Sequence, residues 1–170
     1  MAGIFKSGIA RRSDCLVAFM VVGPTHLCQK ISNSLHQSAK EKKWDISVHQ
    51  CESISDVIKA KIDISVDYII FAFDSRVSHT LSEVEANITV IDEYYIISGV
   101  TCLVNSNGIS NIGLVHKAKE LCHKYNIRFL SAKIFDVKAC TNLGDRILNI
   151  TENLLGLSSG IPVIGRMMHN

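Results

Sequence analysis

The chain has 170 residues, 47% of them hydrophobic and 20% charged, with only two prolines. That length suits one α/β domain able to bury roughly two-thirds of its unfolded surface, and the composition excludes a disordered chain. Eighteen basic residues interleave with sixteen acidic ones for a net charge of +2, which argues against a phosphate-reading groove and so against direct nucleic-acid binding.

Residues 1–14 carry basic side chains with no long apolar run after them, so they are expected to form an N-terminal extension. Cys15 to Val22 is continuously apolar and ends at Gly23-Pro24, which predicts a central parallel strand covered on both faces. Thr25 is placed to cap a following helix in which Leu27, Ile31 and Leu35 recur at helical spacing. Lys40, Lys42 and Lys43, with Glu41 among them and Trp44 beside them, read as its solvated end.

Asp45 to Gln50 alternates Ile46 and Val48 with polar neighbours, the pattern of an edge strand wet on one side. Val66 to Phe73 predicts a buried strand ending at Asp74-Ser75. Leu81, Val84, Ile88, Ile91 and Tyr95 keep helical spacing and predict one helix over Thr80 to Ile97, stopped by Gly99. Val100 to Val104 follows as a strand, Ile112 to Tyr125 as a helix and Ile127 to Leu130 as a strand. A last helix over Asn142 to Leu155 ends at Gly156, leaving an apolar tail over 158–170. Strands alternating with helices over 15–157 predict a single α/β domain, a mostly parallel, doubly wound sheet flanked by helices.

Six cysteines show no C-x-x-C pair and seven histidines no ligand spacing, so buried free thiols and no metal are expected. No stretch approaches the roughly 20 apolar residues that span a bilayer, which predicts a soluble protein of a reducing compartment. Neither a G-x-S-x-G elbow nor an H-E-x-x-H pair occurs.

In a doubly wound sheet the loop after the first strand is the phosphate site, where backbone N–H groups meet a helix N-terminus. The G-x-x-x-x-G-K-[ST] pattern starting at Gly23 would need Gly, Lys and a hydroxyl residue where the chain has Cys28, Gln29 and Lys30. Those replacements remove the flexible backbone, the phosphate-pairing charge and the magnesium ligand. Shifting the lysine role to Lys30 turns the side chain roughly 100 degrees around the helix. No nucleotide and no cofactor are therefore expected.

Val66-Asp67-Tyr68-Ile69-Ile70-Phe71-Ala72-Phe73-Asp74 resembles the fourth strand of Ras-like GTPases, and the strand from Val100 to Asn105 resembles the one that leads to their guanine-reading N-K-x-D. After Asn105 the chain reads Ser106-Asn107-Gly108, without the lysine and aspartate, whereas Ser131-Ala132-Lys133 matches the family's S-A-K loop. The resemblance implies a small-GTPase-like fold, a P-loop NTPase topology without a functional P-loop. Lys61-Ile62-Asp63, the Tyr95 to Val104 junction, Leu155-Gly156 and Ile161-Pro162-Val163 make the chain most similar to a pseudo-GTPase branch found in the inner kinetochore.

That branch implies a non-catalytic structural subunit of the constitutive centromere-associated network. It also implies nuclear, centromeric localisation and centromere proteins I, H and K as partners. Tyr94, Ile96 and Ile97 at a helix end, and Ile164 and Met167 in the tail, are the expected partner-binding residues, with partial core burial expected for the stretch Tyr94 to Ile97. The competing expectations are a divergent GTPase that still holds guanine nucleotide, and a Rab-like trafficking adaptor.

Overall fold

The computed structural model describes residues 5–6, 16–108 and 111–156. Seven strands and six helices follow in the order β1 (Phe5–Lys6), β2 (Val17–Val22), α1 (Thr25–Lys42), β3 (Ile46–Cys51), α2 (Ile54–Lys59), β4 (Ile64–Ser65), β5 (Tyr68–Phe73), α3 (His79–Ile88), α4 (Glu93–Ile97), β6 (Thr101–Asn105), α5 (Ile112–Lys124), β7 (Arg128–Ser131) and α6 (Val137–Leu155). The tail residues Ile164 and Met167 and most of the N-terminal extension lie outside the described residues.

Five strands form the main sheet in the spatial order β3-β2-β5-β6-β7, all parallel. β1 and β4 make a separate two-stranded parallel pair. Counted along the chain, the main sheet has the order 2-1-3-4-5, the flavodoxin-like member of the doubly wound class. The expectation of one α/β domain with a parallel sheet flanked by helices is met. A small-GTPase topology is not what the strand order gives.

The centre of the sheet follows from composition. β2 and β5 are buried at every position, because right-handed crossovers bring helices over both faces of a parallel sheet. Phe19 and Tyr68 pack across the β2–β5 pair with ring centroids 6.1 Å apart. Full burial of side chains such as Ile69 and Phe71 contributes roughly 1.5–3 kcal/mol each. On one face α1 and α6 lie in contact, close enough that the Ser34 hydroxyl donates to the Cys140 carbonyl at 2.5 Å.

Several predicted boundaries shift. The helix expected over Thr80 to Ile97 is two helices, because the chain turns at Thr89–Asp92 and Asp92 restarts it by accepting the Tyr94 N–H at 2.8 Å. α6 begins at Val137, one turn and more before Asn142, capped by Asp136, whose carboxylate accepts the Ala139 N–H at 2.8 Å. It ends as expected at Gly156, whose φ of 65° is the left-handed cap that favours glycine. Thr25 is the first residue of α1 and not its cap; Pro24 holds that place and makes no side-chain cap bond. α2 and the β1–β4 pair have no counterpart in the periodicity.

Candidate functional site

In a 2-1-3-4-5 sheet the connections leaving the first and third strands run to opposite faces, and ligands sit in the crevice outside the carboxyl ends of those strands. Here that place lies between the exits of β2 and β5, flanked by the end of β3. A cleft of about 510 Å³ occupies it, built from Gly23 and Pro24, from Glu52 and Asp56 around the start of α2, and from Thr80, Glu83 and Asn87 on α3. A second groove of about 550 Å³ runs between α3 and α5 away from this edge, and its Lys124 and Glu85 neutralise each other at 3.0 Å.

The β2–α1 turn is very short. Gly23 has a φ of 151°, and a Cβ there would stand 2.5 Å from the Ala72 carbonyl oxygen of β5, so the backbones touch where only glycine fits. α1 starts two residues later, which places Cys28, Gln29 and Lys30 inside the helix and not in a phosphate-wrapping loop. Cys28 points inward, its thiol bonded to the Gly23 carbonyl at 3.2 Å and pushed up to about 12 by burial and then by Cys51, while Gln29 and Lys30 are exposed.

Five N–H groups lie between Gly23 and Cys28, since Pro24 has none, and four are already bonded. Gly23 donates to the Cys51 carbonyl at 3.0 Å, and Leu27 and Cys28 donate to the Pro24 carbonyl at 2.9 and 3.1 Å. Thr25 donates both its N–H, at 3.2 Å, and its hydroxyl, at 2.5 Å, to the Glu52 carboxylate. Those two bonds, the hydroxyl's first, hold the exposed Glu52 carboxyl below the ordinary carboxylate range.

Glu52 is itself held from behind. The Asn87 side chain donates to the carbonyls of Glu52, at 3.3 Å, and Glu83, at 3.0 Å, and accepts the Ile54 N–H at 2.7 Å, capping α2 from another helix. Asn87 is 8% exposed, and this three-way clamp is the reason a polar side chain sits there. The cleft therefore presents the carboxylates of Glu52, Asp56 and Glu83 together with His79; no lysine or arginine lines it, and Asp56 meets the exposed Lys59 ammonium beside it at 3.7 Å.

The positions matched to a guanine site serve the scaffold. Asn105 is fully buried; its amide donates to the Gly108 carbonyl and to the Ser131 hydroxyl at 3.5 Å, while Ala132 donates back to the Asn105 carbonyl at 3.0 Å. Asn107 pairs with Lys133 in an antiparallel bridge and donates its side-chain amide to Asp74. Asp74 accepts the Arg76 guanidinium at 2.8 Å, and that bond leads the causes holding its carboxyl low. Ser131, Ala132 and Lys133 thus knit the loops after β5, β6 and β7 together, with Lys133 exposed.

At the expected partner surface, Tyr94 and Ile96 are half-buried against the core, while Tyr95 is buried and its hydroxyl donates to the Val66 carbonyl at 2.9 Å. Ile97 remains 69% exposed. The clearest omission from the sequence reading is Glu52. Its signal lies in strand register, since Val22 pairs with Cys51 and the next residues of both strands must then meet.

Among the described residues no three His, Cys, Asp or Glu side chains come together as a metal site, and no helix is long and apolar enough to cross a membrane. Cys28, Cys51, Cys102, Cys122 and Cys140 are free thiols, all buried except the half-buried Cys51.

No protein-family model and no curated protein matches the chain. Among solved structures it is similar to the rubredoxin:oxygen oxidoreductase of the anaerobe Desulfovibrio gigas, with a TM-score of 0.52 and 13% identity over 88% of this chain and 38% of that one. It also matches the flavodiiron protein of Giardia intestinalis, with a TM-score of 0.46 and 13% identity over 85% of this chain and 39% of that one. The chain thus spans well under half the length of these proteins.

The first of these matches corrects the kinetochore assignment. The identification with centromere protein M, the structural role in the centromere-associated network and the guanine-nucleotide alternative are not retained, because the fold found is shared with the oxidoreductase. Nor is the expectation of a non-enzyme kept, since the protein matched is an oxidoreductase. The physical reason is that the landmarks behind the resemblance, Asp74, Asn105 and Ser131-Ala132-Lys133, all sit at carboxyl ends of parallel strands, where every doubly wound sheet carries its loops. At this identity the likeness, with the strand order, establishes a flavodoxin-like fold.

Proposed function

We propose that the chain is a flavodoxin-like ligand-binding domain whose site is the cleft beyond β2 and β5, and that this cleft selects an ammonium or guanidinium group. The observation that carries the reading is the wall formed by Glu52, Asp56 and Glu83 with no lysine or arginine among the lining side chains. A cleft lined by one sign of charge concentrates ligands of the opposite sign. The lack of a three-ligand cluster among the described residues favours an organic cation over a metal ion. Thr80, Ser53 and Ser55 add neutral polar groups that can orient such a ligand.

Calorimetric titration with agmatine, which carries both cationic groups, tests this. Saturable binding that weakens with added salt, and falls several-fold in an Asp56→Asn, Glu83→Gln double variant, is expected from two exposed charge pairs of about 0.2–1 kcal/mol each. Absence of saturable heat, or binding indifferent to that double variant, would refute it.

A flavin-dependent redox domain is the second reading, favoured by the 2-1-3-4-5 strand order and the oxidoreductase likeness. The residues present do not fit a flavin mononucleotide. Its phosphate needs several free N–H donors, and four of the five between Gly23 and Cys28 are committed. The finer sequence reading, a small-GTPase-like topology, meets the same obstacle and lacks the strand order.

A further inference from the structure

The misfit between the fold's customary ligand and this site has a specific cause. In a doubly wound sheet a ligand's phosphate sits at the N-terminus of the helix after the first strand, taking hydrogen bonds from the turn and the first helical residues. In this chain an anion already stands there, and it is covalently part of the protein. The Glu52 carboxylate accepts the Thr25 N–H at 3.2 Å and the Thr25 hydroxyl at 2.5 Å, the pair of donors that the first residue of α1 offers.

We infer that Glu52 is a tethered stand-in for a ligand phosphate, which shuts phosphate-bearing cofactors out of the cleft while leaving the cleft open to cations. Three features make the carboxylate a resident and not a passing contact. Parallel pairing of Val22 with Cys51 fixes where the residues after both strands emerge, so Glu52 leaves β3 beside the β2–α1 turn. The Asn87 amide grips the Glu52 carbonyl at 3.3 Å and its side-chain oxygen holds the Ile54 N–H at 2.7 Å, anchoring the backbone on either side of Ser53. Pro24 has no N–H to offer a competing anion.

An intramolecular ligand of this kind competes at a high effective concentration, because its ordering cost was met on folding. A free phosphate or a flavin phosphate must displace it and then sit beside Asp56 and Glu83, both of which repel it. The carboxylate also lowers the positive potential at the start of α1, which carries no acidic residue of its own in the first turn. One anion thus does two things: it stabilises the helix start and sets the sign of the ligand.

The test follows the Thr25 amide in proton–nitrogen correlation spectra while inorganic phosphate, and separately flavin mononucleotide, are added at constant ionic strength. In the natural chain the Thr25 signal should stay in place with both. In Glu52→Ala it should move saturably with inorganic phosphate, with affinity at least tenfold tighter than any seen in the natural chain. Glu52→Gln, which keeps the side chain's shape and loses its charge, should shift the same way and serves if the alanine variant does not fold.

Saturable movement of Thr25 in the natural chain with phosphate or flavin would overturn the inference, as would variants that bind phosphate no more tightly than the natural chain. The cation half of the inference rests on the proposed function, and failure of agmatine to bind would remove it; the exclusion of phosphate would stand, because the Thr25–Glu52 contact is read without agmatine.

Discussion

Replacing Gly144 with alanine sets two opposing effects against each other, and the geometry decides between them. In an exposed helix interior, glycine to alanine gains up to about 1 kcal/mol through backbone entropy. Gly144 lies in α6 where it crosses α1, and an added Cβ would come within 2.8 Å of both the Ser34 carbonyl oxygen and the Ser38 hydroxyl. The hydroxyl can rotate away; the carbonyl belongs to the α1 backbone and cannot. Overpacking costs about 1–3 kcal/mol, and contact with fixed backbone puts this site at the upper end, for a net loss of about 2 kcal/mol.

Gly113 supplies the control, since a Cβ there meets only the Asn111 side chain at an ordinary 3.6 Å in the exposed first turn of α5. Gly113→Ala should therefore raise stability by about 0.5–1 kcal/mol. Urea denaturation reads both, with the midpoint of Gly144→Ala falling by about 1 M for a typical slope. A rise in the midpoint of Gly144→Ala comparable to that of Gly113→Ala would refute the close α1–α6 packing.

Gly23→Ala should lose about 3 kcal/mol or more, from a φ of 151° and a Cβ only 2.5 Å from the Ala72 carbonyl; a melting midpoint within a degree or two of the natural chain would contradict the tight turn. Asp74 gives a pH prediction. Its folded-state carboxyl titrates below the ordinary 3.8, so the stabilisation is present above that value and is lost as pH falls through the folded one. The natural chain should lose stability more steeply than Asp74→Asn as pH falls from about 5 through the folded-state value, and equal slopes in denaturant series would show that Arg76 and Asn107 do not hold the carboxylate.

Much of the scaffold was legible because its elements announce themselves by period. The apolar runs of β2, β5 and β6 and the stripes of α1 and α5 lie where the pattern put them, since burial on both faces or on one stripe leaves little choice of residue. α2 escaped because six residues with one buried side chain, Ile54, carry no period. The α3–α4 break escaped for the opposite reason: Ile88, Ile91 and Tyr95 stay buried across the turn and mimic one continuous stripe. The first turn of α6 was missed because Val137, 80% exposed, adds nothing to the stripe.

Strand order was illegible for a deeper reason. Periodicity identifies a strand but not its neighbours, and landmark residues at the strand ends are shared by every doubly wound sheet. The site was half legible. Gly23 was recognised as the turn to test, and the loss of phosphate chemistry at Cys28, Gln29 and Lys30 was read from residue type; the structure shows those three inside α1. Glu52 was invisible, because a lone glutamate after an edge strand acquires its role only when parallel register delivers it to Thr25.

Whether this flavodoxin-like edge has been turned from an anion site into a cation site is tested most directly by proton–nitrogen correlation spectra recorded during separate titrations with agmatine and flavin mononucleotide. Saturable shifts at Ser53, Asp56, Thr80 and Glu83 are expected with agmatine, and none at Gly23 or Thr25 with the flavin. Flavin-induced shifts at Gly23 and Thr25, with the cleft silent to agmatine, would contradict that change of sign.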